Sequence, residues 1–248
     1  MPVLRSLAFQ LAFYLNTAVW LVAIIPTLAM PRRAILRVAQ NWGRFSLVLL
    51  RAIVGTRVEY RGLHHVPPGG LLLAAKHQSL ADVLALVGAV DDPCFILKRE
   101  LTLVPLWGSF ALKAGMISVD RSKGSGALAD INRQAAAAVR NGQQILIYPE
   151  GTRRSPGAPP AYKQGVAHLY GALDIPCVPV AVNSGVFWPR RRFVMRPGTI
   201  VIEFLPPIPP GEPRDRFMSA LQDRIETASA RLLAESRHGS GYTGPDGI

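Results

Sequence analysis

Six short aliphatic or β-branched runs between residues 70 and 205 constrain this chain more than any other feature. They are GLLLAA (70–75), CFILK (94–98), GMISVD (115–120), QQILIYP (143–149), CVPVAV (177–182) and TIVIEFL (199–205). Between several of them lie helix-like stretches over 80–90, 125–141 and 163–173. Strands alternating with helices predict an α/β fold with a mixed, largely parallel sheet flanked by helices. Ligand groups in such sheets gather where strands end, and each polar cluster here stands at such a place. Lys76 and His77 follow the first run, Lys98 and Arg99 the second, Asp120 and Arg121 the third, and PEGTRR (149–154) the fourth.

The 248 residues suffice for one sizeable α/β domain with an appended element. The formal charge is +12, yet 49% of residues are hydrophobic. A nucleic-acid binder usually couples basic charge to a polar composition. Here Arg32, Arg33, Arg37, Arg44 and Arg51 are interleaved with apolar residues, which fits an anionic membrane surface better and argues against a nucleic-acid partner. Ser6 to Met30 carries no charge, and a helix of that length would measure roughly 37 Å, against about 30 Å for a bilayer core. Gln10, Asn16, Thr17 and Pro26 weaken a spanning assignment, so a spanning helix and a helix lying in the interface both stay open. A cleaved signal peptide fits poorly, since no small-x-small site precedes Pro31. If the helix spans, Arg32, Arg33 and Arg37 against Arg5 alone favour a cytoplasmic main domain.

These features divide the chain into a membrane-anchoring helical segment (1–57), an α/β domain (58–212), an amphipathic helix (213–237) and a disordered tail (238–248). Cys94 and Cys177 each sit inside a strand-like run, as small core residues rather than a disulfide or metal pair.

The stretch KHQSLAD (76–82) admits two readings. Ser79 and Asp82 have the spacing of a helix capping box, which would leave His77 a loop residue. Alternatively, His77 in the turn before the helix can face Asp82 in its first turn. A carboxylate on one ring nitrogen would fix the tautomer and leave the other as a proton acceptor near neutral pH. The chain has no G-x-S-x-G elbow, so the hydroxyl that such a base would activate is expected on the substrate. A metal site is not expected, because His77 and Asp82 lack further ligands at recognisable spacing. In YPEGTRR (148–154), bidentate arginine suits phosphate and Gly151 admits close backbone approach. The same loop equally suits a structural pairing of Glu150 with Arg153 or Arg154. GSGYTG (239–244) matches a dinucleotide fingerprint but follows a helix in the tail, outside any βαβ unit.

KHQSLAD, FILKRELTLVPLWGSFALKAGMISVDR, YPEGTRR and CVPVAVNSG occur in that order. Together they resemble the four blocks of the glycerolipid acyltransferases related to bacterial 1-acyl-sn-glycerol-3-phosphate acyltransferase, over residues 60 to 205. One departure is Lys76, where the family commonly has asparagine. The resemblance implies His77 as general base, Asp82 as its orienting partner, and Glu150, Gly151, Thr152 and Arg153 as acceptor-binding residues, with Arg153 on the phosphate. Lys98 and Arg121 would be further phosphate contacts, and Pro179 would shape the acyl pocket or the fold.

The implied reaction moves an acyl chain from acyl-CoA or acyl-ACP to the sn-2 hydroxyl of a lysophosphatidate, giving phosphatidic acid. It needs no metal or resident cofactor. It takes place among membrane lipids, at the cytoplasmic face of the cell membrane. Two alternatives are an O-acyltransferase for another lysolipid, such as a lyso-ornithine lipid, and a non-enzymatic basic protein binding membrane or nucleic acid.

Overall fold

The computed structural model of the chain describes residues 1–104, 106–119 and 125–240. It opens with helix α1 (Pro2–Ala23), which Pro26 turns into a short 3₁₀ segment, followed by α2 (Arg32–Leu49). The body then runs β1 (Thr56–Arg61), β2 (Leu71–Ala75), α3 (Leu80–Ala89), β3 (Pro93–Lys98), α4 (Arg99–Thr102), α5 (Trp107–Lys113) and β4 (Ile117–Val119). It continues through α6 (Ser125–Arg140), β5 (Gln144–Ile147), α7 (Gly165–Leu173), β6 (Cys177–Val182), α8 (Ser184–Phe187), β7 (Gly198–Phe204) and α9 (Arg214–Ser240).

The strands form one sheet in the order β1-β7-β6-β2-β5-β3-β4, parallel throughout except for the antiparallel β6–β7 pair. The fold is thus the mixed, largely parallel α/β class that the alternating runs predict. All five residues of β2 and all six of β6 are buried, because helices cover both faces and leave no polar side. Successive side chains point to opposite faces. Leu71, Leu73 and Ala75 meet Phe9, Phe13 and Leu84 on the α1–α3 side. Leu72 and Ala74 meet Ala135, Val166 and Phe217 on the α6, α7 and α9 side.

The strand over 56–61 is absent from the sequence-based expectation. TRVEYR alternates charged with apolar residues on a half-covered edge, so it lacks the continuous apolar signal of the central strands. The expected strand 115–120 shortens to Ile117–Val119, and Asp120 and Arg121 lie outside the described residues. The tail expected to start at 238 differs as well: α9 continues to Ser240, and 241–248 lie outside the described residues.

Helix α1 packs lengthwise on the body through Ser6, Phe9, Phe13 and Asn16, spaced three or four apart on one face. Phe9 and Phe13 ring centroids lie 5.2 and 6.0 Å from that of Trp188, near perpendicular. Burying such a side chain contributes roughly 2–3 kcal/mol. Asn16 donates to Ser46 Oγ (3.0 Å) and the Trp42 indole to Thr17 Oγ1 (3.1 Å), joining α1 to α2. Helix α2 closes on α3 at Gly43, where a β-carbon would stand 2.8 Å from the Leu84 carbonyl oxygen. Two of the interleaved arginines are engaged within the fold. Arg32 pairs with Asp92, and Arg44 caps α3 through the Gly88 carbonyl. Arg33, Arg37 and Arg51 stay exposed.

Candidate active site

The β-pleat and one helix cap build the polar centre. His77 continues the odd face of β2 into the turn before α3. Ser79 Oγ caps α3 by accepting from the Ala81 amide (3.2 Å). Asp82 completes the capping box from the first turn. Its Oδ2 accepts the Ser79 amide at 2.8 Å, the Gln78 amide at 2.7 Å and His77 Nδ1 at 3.0 Å. The two readings of KHQSLAD are therefore compatible: one carboxylate oxygen caps the helix and holds the imidazole. A carboxylate only accepts, so in the neutral ring Nδ1 carries the proton and Nε2 keeps its lone pair.

The imidazole is clamped a second way. Tyr148, at the end of β5, stacks on it with centroids 3.9 Å apart and planes 18° apart. Its hydroxyl is buried, and burial, with the Asp82 charge as the second cause, holds its pKa well above the ordinary value. It is therefore neutral. The His77 carbonyl also accepts the Arg154 amide at 2.8 Å, tying the turn to the loop after β5. In that loop Gly151 takes φ +65°, a conformation that favours glycine.

His77 lines a cavity of about 1120 Å³, at the upper end of ligand-sized sites. Lys98, Gly151, Thr152 and Arg153 line it too, so five of the residues singled out in the sequence converge on one space. Lys98, Thr152 and Arg153 are exposed. Most of the remaining lining is apolar and includes Trp20, Trp42, Phe95, Val104 and Phe110. Leu101, Val104, Leu106 and Trp107 line the cavity and are also exposed at the surface.

Three sequence candidates behave differently. Glu150 does not line the cavity; it is buried and its Oε1 lies 3.2 Å from Lys76 Nζ. The structural alternative for that loop thus describes Glu150, with Lys76 rather than Arg153 as the nearest cation; Arg154 Nε is at 3.8 Å. Lys76 itself is buried and absent from the cavity wall. Arg121 lies outside the described residues. Cys94 and Cys177 are free and buried. Burial pushes the Cys94 thiol up to about 12 and raises that of Cys177 as well, so neither supplies a thiolate.

Sequence reasoning missed Tyr148, Lys163, His168 and Arg190, all of which line the cavity. Tyr148 was legible in principle, because period-two alternation along β5 puts it on the His77 side. Arg190 gives no such signal. It enters from the loop after α8, where it donates to the Arg153 carbonyl at 2.7 Å.

A family profile described as Acyltransferase matches residues 57–183. The chain is 32% identical over 234 residues to the 1-acyl-sn-glycerol-3-phosphate acyltransferase of Pseudomonas aeruginosa, covering 94% of this chain and 91% of that protein. It is 29% identical over 244 residues to the human 1-acyl-sn-glycerol-3-phosphate acyltransferase alpha, covering 94% and 85%. The crystal structure of the 1-acyl-sn-glycerophosphate (LPA) acyltransferase PlsC from Thermotoga maritima superposes with a TM-score of 0.79 over 94% of this chain and 98% of that one. At 21% identity, that likeness is one of fold. The ordered motifs, the cavity and these matches over most of its length establish that the chain belongs to the acyltransferase family.

Proposed function

We propose that this acyltransferase moves an acyl chain from acyl-CoA or acyl-ACP to the sn-2 hydroxyl of 1-acyl-sn-glycerol-3-phosphate, forming phosphatidic acid. The observation that carries the reading is the cavity, whose lining brings a buttressed imidazole, Lys98 and Arg153 together with a largely apolar wall. The names of the relatives support the same acceptor. His77 Nε2 takes the proton of the acceptor hydroxyl as its oxygen attacks the thioester carbonyl. Asp82 stabilises the imidazolium that forms. The C–S bond then breaks, and the leaving thiolate takes the proton back from His77. Arg153, with Lys98, binds the acceptor phosphate, while the apolar wall holds acyl chain. Neither a metal nor a resident cofactor takes part in this scheme.

On this reading the protein sits on the cytoplasmic face of the membrane, where the thioester donor is found. Among the described residues one helical stretch, Pro2–Ala29, comprising α1 and the 3₁₀ segment after it, is long and apolar enough to cross a bilayer. Burial of Ser6, Phe9, Phe13 and Asn16 on one face of α1 favours the interfacial alternative, since a spanning helix would leave the body it packs against. Leu4, Leu7, Leu11, Leu15 and Val22 then face the acyl region.

Purified protein given lysophosphatidate and either thioester should release free thiol in step with phosphatidate. No release with either donor rejects the proposal. Arg153→Ala should raise KM for the phosphorylated acceptor about tenfold or more, the scale of a lost charge-assisted hydrogen bond. An acceptor lacking phosphate should be insensitive to the same change. Preferential acylation of a lyso-ornithine lipid over lysophosphatidate would assign the other acceptor class.

A further inference from the structure

The pleat that sends His77 to the cavity sends its neighbour, Lys76, to the face covered by α9. Lys76 is 3% exposed, and its ammonium bridges Glu150 Oε1 at 3.2 Å and Glu226 Oε1 at 2.6 Å. The Tyr162 hydroxyl donates to the same Glu226 oxygen at 2.8 Å, and Lys76 Nζ stands 5.7 Å from the Tyr162 ring centroid. Glu150 also accepts the Ala161 amide at 3.3 Å, while its Oε2 has no hydrogen-bond partner among the described residues. One buried cation thus joins the end of β2, the loop after β5 and the C-terminal helix. Removing it would strand Glu150 as a buried carboxylate without its principal counter-charge, a costly state that the chain relieves by turning the group toward water. Glu150 directly precedes Gly151, Thr152 and Arg153, so turning it displaces the cavity wall.

We propose that Lys76 is a positioning residue: held between Glu150 and Glu226, it lets α9 set the place of the Arg153 loop and so tunes affinity for the acceptor. This rests on the reading that Arg153 takes the acceptor phosphate. It gives the lysine found where the family commonly has asparagine a role that requires no contact with substrate. Its partner Glu226, 28% exposed beside a second cavity of about 780 Å³, is the member of the cluster best able to hydrate when altered.

The test compares Lys76→Asn, Glu226→Gln, the double variant and Arg153→Ala in the full chain. Acceptor KM, donor KM, kcat and the thermal midpoint are measured for each. Each single change in the cluster should raise acceptor KM about tenfold, with kcat and donor KM within about threefold of the parent. The double variant should raise acceptor KM by less than the product of the singles. If Lys76→Asn does not fold, Glu226→Gln decides alone. The proposal is overturned if acceptor KM stays put in the cluster variants while Arg153→Ala raises it. It is equally overturned if kcat and the midpoint fall together with both KM values unchanged, the mark of a mere brace. An acceptor KM unmoved by Arg153→Ala removes the phosphate reading, and the positioning role with it.

Discussion

Alanine in place of His77 should lower kcat by about 10²- to 10⁴-fold, the usual contribution of a positioned general base, while the thermal midpoint barely moves. The turn does not depend on the ring. Its carbonyl still accepts the Arg154 amide, and Asp82 still accepts the Gln78 and Ser79 amides. What disappears is the imidazole that a carboxylate orients and Tyr148 stacks against on the wall of the cavity. Acceptor and donor KM should change little, because Lys98, Arg153 and the apolar residues that line the same cavity are untouched. A variant retaining activity within about threefold of the parent, well short of a base's usual contribution, would move the base elsewhere.

Asp82 should separate stability from chemistry. Asp82→Ala removes the acceptor of two buried amides and of the imidazole, at an expected cost of about 2–4 kcal/mol and a clear fall in the unfolding midpoint. Asp82→Asn keeps an oxygen at the same place, so most of the helix cap should survive. With His77 as the proposed base, a neutral amide there cannot stabilise the imidazolium of the reaction, so activity should still drop about 10²-fold or more. Denaturation and steady-state rates on the two variants decide the matter. An Asp82→Asn enzyme with parental kcat would make the carboxylate a cap and nothing else.

The legible parts of the fold share a physical cause. Strands β2 and β6 are buried on both faces, so their residues must all be apolar, and such runs stand out in any sequence. The edge strand β1 is half covered and carries Arg57, Glu59 and Arg61, so it resembles surface. The Ser79–Asp82 cap is a local interaction within one turn and was readable from four residues. Glu150 was not, because whether a carboxylate faces substrate or an internal lysine depends on groups distant in the chain.

Local order along the chain determined the α/β class, the turn that joins imidazole to carboxylate, and the glycine-containing loop with its arginines, since each arises from neighbours within a strand or a helical turn. Tertiary structure alone decided how the N-terminal helix is used, which arginines remain available, and which way Lys76 and Glu150 point. Those outcomes follow from packing between segments up to 189 residues apart, as where the Met195 amide donates to Ser6 Oγ. No single stretch of sequence holds both halves of such a contact.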